Sequence, residues 1–305
     1  TVVSGNVAIG STSSTGLTVT QSSRTGIVNW SSFSIGQGNQ VQFNNGTGAT
    51  LNRVTGNVPS SINGVLSATG SVYLVNPSGI VIGPTGVVKT GGSFVASTLD
   101  VHDAEFRAGG ALTFSGNSNA SVVNLGKIGS SKGDVVLIAR QVRNDGSVIA
   151  RNGTAAMASG SEAAGAMISA DGTSGAGGNV VVWSDGTTSF AGAISTQGLR
   201  GGFIETSGHI FNFAGGSVNA GRGGAWLLDP VDLTIDATLA GTIATALNGG
   251  SNVTQLTSAT GSGGYGDITV ASGISWSTDA TLTLSAYRNI AVNANITSIG
   301  GGGVV

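Results

Sequence analysis

The densest group of ionisable residues in the chain is "LDVHDAEFR", which brings Asp100, His102, Asp103, Glu105 and Arg107 close together. Carboxylates and an imidazole in one short stretch could ligate a divalent cation, or act as general acid and base on a polysaccharide. In an extended segment, however, successive side chains point to opposite faces, so the ligands would not converge. A solvated loop or short irregular insert is the better reading. Asp229, Asp232 and Asp236 in "LLDPVDLTID" form a second carboxylate set. Asp229-Pro230 reads as a turn starter there, and an Asx-turn or helix cap explains the set better than calcium ligation. The other imidazole, His209 in "SGHIF", has no acidic neighbour nearby and reads as a surface strand residue.

Three weaker patterns also fall short of a site. "GGYGDIT" (263–269) is similar to a calcium-binding nonapeptide, but a residue is missing between Gly266 and Asp267, and the stretch is not repeated. Thr18/Thr20 and Thr281/Thr283 have the spacing of an ice-binding ladder without its recurrence. Glycosylation sequons begin at Asn29, Asn45, Asn119, Asn152, Asn252 and Asn295, as chance allows in a Ser/Thr/Asn-rich chain. Trp30, Trp183, Trp226 and Trp276 are too dispersed to form a sugar-stacking ladder. No nucleophile–base–acid arrangement stands out. The sequence assigns no catalytic residue, metal or cofactor, and the expectation is a protein that is not an enzyme.

The elements that would position such residues are short strands. The chain has 305 residues, 53 of them Gly, with 39% hydrophobic and only 9% charged. Mean hydropathy is positive, so there is apolar material for a large core despite the glycine. The surface must then be Ser, Thr, Asn and backbone. Net charge is -2, and the twelve basic residues read as scattered, which argues against nucleic acid as a partner. Cysteine is absent, so disulfides and thiolate–metal sites are excluded. The last residues, "SIGGGGVV", stop inside a turn–strand pattern and suggest a piece of something longer.

Helical periodicity is confined to "TLAGTIATALNGG" (238–250), with Leu239, Ile243 and Leu247 on one face and Gly249 as a stop. Elsewhere a period emerges. "NLGKI" (124–128) and "NDGSV" (144–148) align, as do "GDVVLIA" (133–139) and "GNVVVWS" (178–184). A branched-x-x-x-Gly signature starts at Ile149, Ile168 and Ile194. A unit in the low twenties with strands and no helix is one coil of a parallel β-helix. Roughly fourteen coils would fit, giving a rod of about 65 Å at about 4.8 Å per coil. Gly and Asn are expected at corners with positive φ. In "VYLVNPSGIVIGPTGVV" (72–88), Asn76-Pro77-Ser78-Gly79 and Gly83-Pro84-Thr85-Gly86 then read as two corners of one coil. A β-sandwich is the alternative on turn spacing alone.

"VNWSSFSIGQGNQVQFNN" (28–45), "LNRVTGNVPSSINGVLSATGSVYLVNPSGIVIG" (51–83) and "GGSFVASTLDV" (91–101) resemble the haemagglutination-activity secretion domain. That domain opens the filamentous-haemagglutinin and high-molecular-weight adhesin proteins of two-partner secretion. "GGNVVVWSDGTTSFAGAISTQG", "GGFIETSGH" and "GAWLLDPVDLTI" extend the likeness. The resemblance implies an all-β fold, a right-handed parallel β-helix with an N-terminal β cap. Residues 1–115 would be the cap and first coils with the secretion motif, and 116–305 the continuing coils. The family's Asn-Pro-Asn-Gly-Ile motif falls on Asn76, Pro77, Ser78, Gly79 and Ile80, with Ser78 replacing Asn; its separate Asn-Pro-Asn-Leu motif is not found. The implied partners are the POTRA repeats and β-barrel of an outer-membrane transporter and the protein's own C-terminal passenger, with host-cell or biofilm glycans as further candidates. The implied location is the surface or surroundings of a Gram-negative cell, reached through the periplasm. Rival readings are a carbohydrate-cleaving β-helix using residues 100–107 and a glycan-binding adhesin region. As a turn residue alone, Asn76 would contribute about 1 kcal/mol, the scale of one hydrogen bond.

Overall fold

In the computed structural model, which describes residues 1–11, 15–162, 165–258 and 264–305, the chain is a parallel β-helix of about 11 turns. It divides into two compact units, Thr1–Ala158 and Ser159–Val305. In the first, Thr25–Trp30, Ala49–Val54, Ser71–Val75, Phe94–Ser97 and Val135–Asn144 stack in parallel as one face. Gly16–Gln21, Gln40–Asn44, Val65–Ala68, Val87–Thr90, Lys127–Ser130 and Ser147–Ala150 stack as a second. Ser60–Ile62, Ile80–Ile82 and Ser121–Asn124 make a short third face. A sandwich is ruled out: neighbouring strands are parallel and a coil apart in sequence, not antiparallel and joined by hairpins.

Two N-terminal strands break that rule and form the cap. Val2–Ser4 runs antiparallel to Thr25–Trp30, and Val7–Ile9 antiparallel to Gly16–Gln21. Each satisfies backbone groups that the first coil would otherwise present as an open edge. Inside, alternate residues point inward, and Val72, Leu74, Ile80, Ile82, Val88 and Phe94 are fully or almost fully buried.

Fewer turns form than the roughly fourteen expected from a unit in the low twenties, because the coils vary in length. The Ser93 amide donates to Ser71 Oγ across a 22-residue coil, and the Asp134 amide to Ser93 Oγ across 41. The longer coil contains an excursion in which Asp100–Val101 pairs antiparallel with Phe114–Ser115 around a helix, Asp103–Ala108. In the second unit Thr281 bonds Asn252 across 29 residues.

That unit stacks Asn179–Phe190, Phe203–Phe213, Ala225–Leu228, Asn252–Leu256 and Leu282–Ser285. Its helix, Ala237–Asn248, matches the amphipathic segment: Leu239, Ile243 and Leu247 are buried, and Gly249 follows the last turn. Asp236 caps it by accepting from the Leu239 amide at 2.9 Å, as a cap reading of the carboxylate set requires. The helix takes the place of a strand, lying between Ser217–Asn219 and Ile274–Trp276.

The repeat reading holds with one slip. Asn124 lies beside Asn144 and Ile168 beside Ile194, as aligned. Ile149, however, points outward and Val148 is the buried residue, so that alignment was one position off, which in a strand means the opposite face. The corner glycines also differ from expectation. Gly64, Gly86, Gly126 and Gly146 follow one another up the coils with no positive φ. A Cβ at Gly126 would instead lie 2.4 Å from the carbonyl oxygens of Gly83 and Gly86. Close stacking of backbone on backbone, more than left-handed φ, excludes side chains there.

Candidate functional site

The segment 76–80 forms the corner between Ser71–Val75 and Ile80–Ile82. Pro77 fixes φ for the turn, and the Gly79 amide donates to the Asn76 carbonyl at 3.0 Å, closing it. Gly79 has φ 111°, a conformation an L side chain rarely adopts. Asn76 is completely buried. Its Oδ1 accepts from the Ser78 amide at 2.9 Å, the Asx geometry expected of a turn residue. Its Nδ2 uses both hydrogens, donating to the Val58 carbonyl at 3.0 Å and to Ser60 Oγ at 2.9 Å. Ser60 lies on the preceding coil, in register with Ile80. Asn76 therefore clips two coils together, a role with no local signal in the sequence.

The rest of the segment divides by exposure. Ile80 is buried against the core and Gly79 is covered, whereas Pro77 faces solvent and Ser78 is half-buried. The Pro77 carbonyl accepts from Ser118 Oγ at 2.6 Å, so the end of the long excursion fastens onto this corner.

Of the two readings offered for the charged stretch, the insert fits and the solvated loop does not: the stretch belongs to an ordered excursion from the coil. Asp100–Val101 is strand and Asp103–Ala108 is helix, and Phe106 on the helix is buried against Ile27, Leu51, Val75 and Val101. Phe106 also meets the Tyr73 ring edge-on at 5.1 Å between centroids. The outer faces of the strands offered apolar residues here, and the excursion covers them. Arg53, which sequence reasoning passed over, holds it down: Nε donates to Asp100 Oδ2 at 2.9 Å and Nη2 to Asp103 Oδ1 at 2.9 Å. Burial pulls the Arg53 guanidinium down, but the hydrogen bonds and charges of Asp100 and Asp103 leave it above its ordinary value. Tyr73 is raised, by burial first and then by the Asp134 charge. Glu105 accepts from the Thr113 amide at 3.2 Å. The acids are thus engaged in fastening the excursion, and among the described residues no three His, Asp or Glu side chains could share a metal ion.

The other candidates have structural roles as well. Asp232 Oδ1 accepts from the Tyr265, Gly266 and Asp267 amides at 2.9, 2.7 and 2.9 Å, pinning a distant loop and not its own turn. Gly263 of the nonapeptide-like stretch lies outside the described residues, and Asp267 pairs with Arg288. The Arg288 hydrogen bond holds the Asp267 carboxyl below its ordinary range. His209 is a half-buried strand residue. Asn45, a sequon residue, is buried and bonded to Thr50 and Ser71.

A parallel β-helix with an antiparallel N-terminal cap defines the class as a capped β-solenoid, and comparison with known proteins narrows this. Residues 2–225 match the TPS secretion domain, and the chain belongs to that family. The solved HMW1 secretion domain from Haemophilus influenzae has the same fold, with a TM-score of 0.63, 21% identity and 98% of each chain covered. A heme/hemopexin-binding protein of H. influenzae is 34% identical over 154 residues, 45% of this chain and 16% of that protein. A second H. influenzae heme/hemopexin-binding protein is 38% identical over 101 residues, 32% of this chain and 11% of that protein. The matched region thus spans about a sixth or less of these curated relatives. TPS secretion domains belong to proteins exported through the outer membrane to the cell surface or beyond, and they pair with an outer-membrane transporter.

Proposed function

We propose that this chain is the addressing domain of a large surface exoprotein, an adhesin, and that its transporter reads residues 76–80 before the domain folds. The observation that supports this reading is the family match over residues 2–225, since TPS secretion domains belong to proteins exported through the outer membrane. The complete burial of Asn76 supports the order of events, because its side chain is accessible to a partner only while the chain is unfolded. The POTRA repeats of the transporter meet the extended chain in the periplasm and pair with its backbone by β-augmentation. With few charges to desolvate, the chain then passes the β-barrel, and the first coils fold outside as a template for the passenger. The division into a cap with secretion motif over 1–115 and continuing coils over 116–305 belongs to the same proposal.

The test is co-expression of the chain with its transporter, following appearance outside the cell. Pro77 is exposed, so Pro77→Ala leaves the folded core in place. Export of Pro77→Ala and Asn76→Ala at the wild-type level removes these residues from recognition. A polysaccharide-cleaving activity has less support: Asp100, Asp103 and Glu105 are all engaged within the excursion.

A further inference from the structure

The charge is not spread evenly. Residues 1–158 hold nine Lys and Arg against five Asp and Glu, whereas residues 159–305 hold three against nine. Within the positive unit, no ion pair among the described residues involves Lys89, Lys127 or Arg151. All three are exposed; Lys89 and Lys127 lie on strands of the second face, and Arg151 follows directly on its strand Ser147–Ala150. Lys89 and Arg151 flank a trough of about 550 Å³ that also includes Ser67, Ser131 and Gly129. No lining residue is acidic.

The register explains the trough. Ser67, Lys89, Gly129 and Ile149 are aligned side by side on four successive coils, all on the outer surface. Gly129 interrupts the row, and its missing side chain lowers the floor between Lys89 and Ile149. In the direction of the cap the row continues through Gln42 and Thr18, with Gln40 bonded to Gln42 and Ser67. The face thus presents amides and hydroxyls followed by cations, at a spacing of about 4.8 Å along the coils.

We infer that this trough binds an anionic polysaccharide, a linear polyuronate lying across the coils. A stiff glycan chain rises by a similar distance per sugar, so successive residues meet successive coils. Its carboxylates pair with Lys89, Lys127 and Arg151, and its hydroxyls meet Ser67, Ser131 and the glutamines. A single exposed ion pair contributes little, so affinity comes from several contacts along one polymer. This site goes beyond the addressing role and does not depend on it.

The test is titration of the folded 305-residue chain with polyuronate oligomers of increasing length, with dextran and inorganic polyphosphate as comparators. Binding should strengthen with length, weaken with salt, and fall about tenfold or more in Lys89→Gln/Arg151→Gln. Gly129→Val gives an independent check. A Cβ there meets only the Val88 carbonyl oxygen at 3.9 Å, so Val fits the strand and fills the trough with every charge retained. Loss of polyuronate binding in that variant, with an unchanged melting temperature, supports the site. Absence of polyuronate binding, equal binding of dextran or polyphosphate, or wild-type binding by either variant overturns it.

Discussion

Replacing Asn76 by Ala removes three hydrogen bonds at once: Nδ2 to Val58 at 3.0 Å, Nδ2 to Ser60 at 2.9 Å, and Ser78 N–H to Oδ1 at 2.9 Å. At a net value near 1 kcal/mol each, full loss would amount to about 3 kcal/mol. The exposed edge of the turn lets water replace part of this, since Val58 and Pro77 face solvent. The expected loss is about 2–3 kcal/mol, above the single-bond figure that the turn alone suggests. With about 2–4 °C per kcal/mol for a unit of this size, the melting temperature of the first unit falls by roughly 5–10 °C. The fold survives, because the backbone bonds Asn76 N to Ser97 O, Gly79 N to Asn76 O and Ser60 N to Gly79 O do not involve the side chain. Asn76→Asp sharpens the test. It keeps the acceptor for Ser78 but turns a carboxylate towards the Val58 carbonyl, so it should be at least as damaging. Urea unfolding of the purified chain measures both. A loss below about 1 kcal/mol for Asn76→Ala would refute the three-bond reasoning. Asn144→Ala serves as the matched control for export, since Asn144 is equally buried and accepts from Asn124 across coils at 2.7 Å.

Other outcomes follow from the same geometry. Phe106→Ala should destabilise the first unit by about 3–5 kcal/mol and expose residues 103–113 to limited proteolysis, a pattern resolved by mass spectrometry of the fragments. Gly126→Ala should prevent close stacking of the corner, and a melting temperature equal to wild type would contradict the contacts of 2.4 Å there. The folded pKa of Asp267 lies below its ordinary 3.8, so its pairing with Arg288 adds stability above that ordinary value and loses it as pH falls through the folded pKa. An NMR titration of the Asp267 carboxyl should show the depressed midpoint, and Arg288→Gln should move it up towards the ordinary one, with the Asn289 hydrogen bonds still acting to lower it.

Much of the fold was legible because a β-helix writes its period into the chain. Asn124 and Asn144 could be aligned by eye, and the structure joins them by a hydrogen bond at 2.7 Å. The lone amphipathic helix was legible too, since a 3.6-residue period stands out among strands. What failed was the fine register at Ile149, where two adjacent branched residues both suit an inward position. The excursion failed for a different reason. Six residues are too few for a helical period to show, and Phe106 finds its partners on strands far away in sequence. The same holds for Arg53, which meets Asp100 and Asp103 at separations of 47 and 50 residues. Asn76 was singled out through a turn pattern and a family motif, but its contact with Ser60 on the preceding coil left no mark in the local sequence.

The burial of Asn76 places a physical condition on the proposed addressing role. A partner that binds residues 76–80 extended binds the unfolded state, and so competes with folding by mass action. Every bond that secures Asn76 in the helix therefore weakens apparent recognition at equilibrium. Export then depends on kinetics: the transporter must engage the chain before the first coils close. Stabilising substitutions in the first unit that speed folding should reduce export, and substitutions that slow folding should be tolerated while the motif is intact. Phe106→Ala and Asn76→Ala therefore separate the two effects. Both destabilise the same unit, but Phe106→Ala leaves residues 76–80 unchanged. Export retained by Phe106→Ala and lost by Asn76→Ala assigns the defect to recognition. Equal loss in both assigns it to folding, and the addressing role of residues 76–80 is then withdrawn.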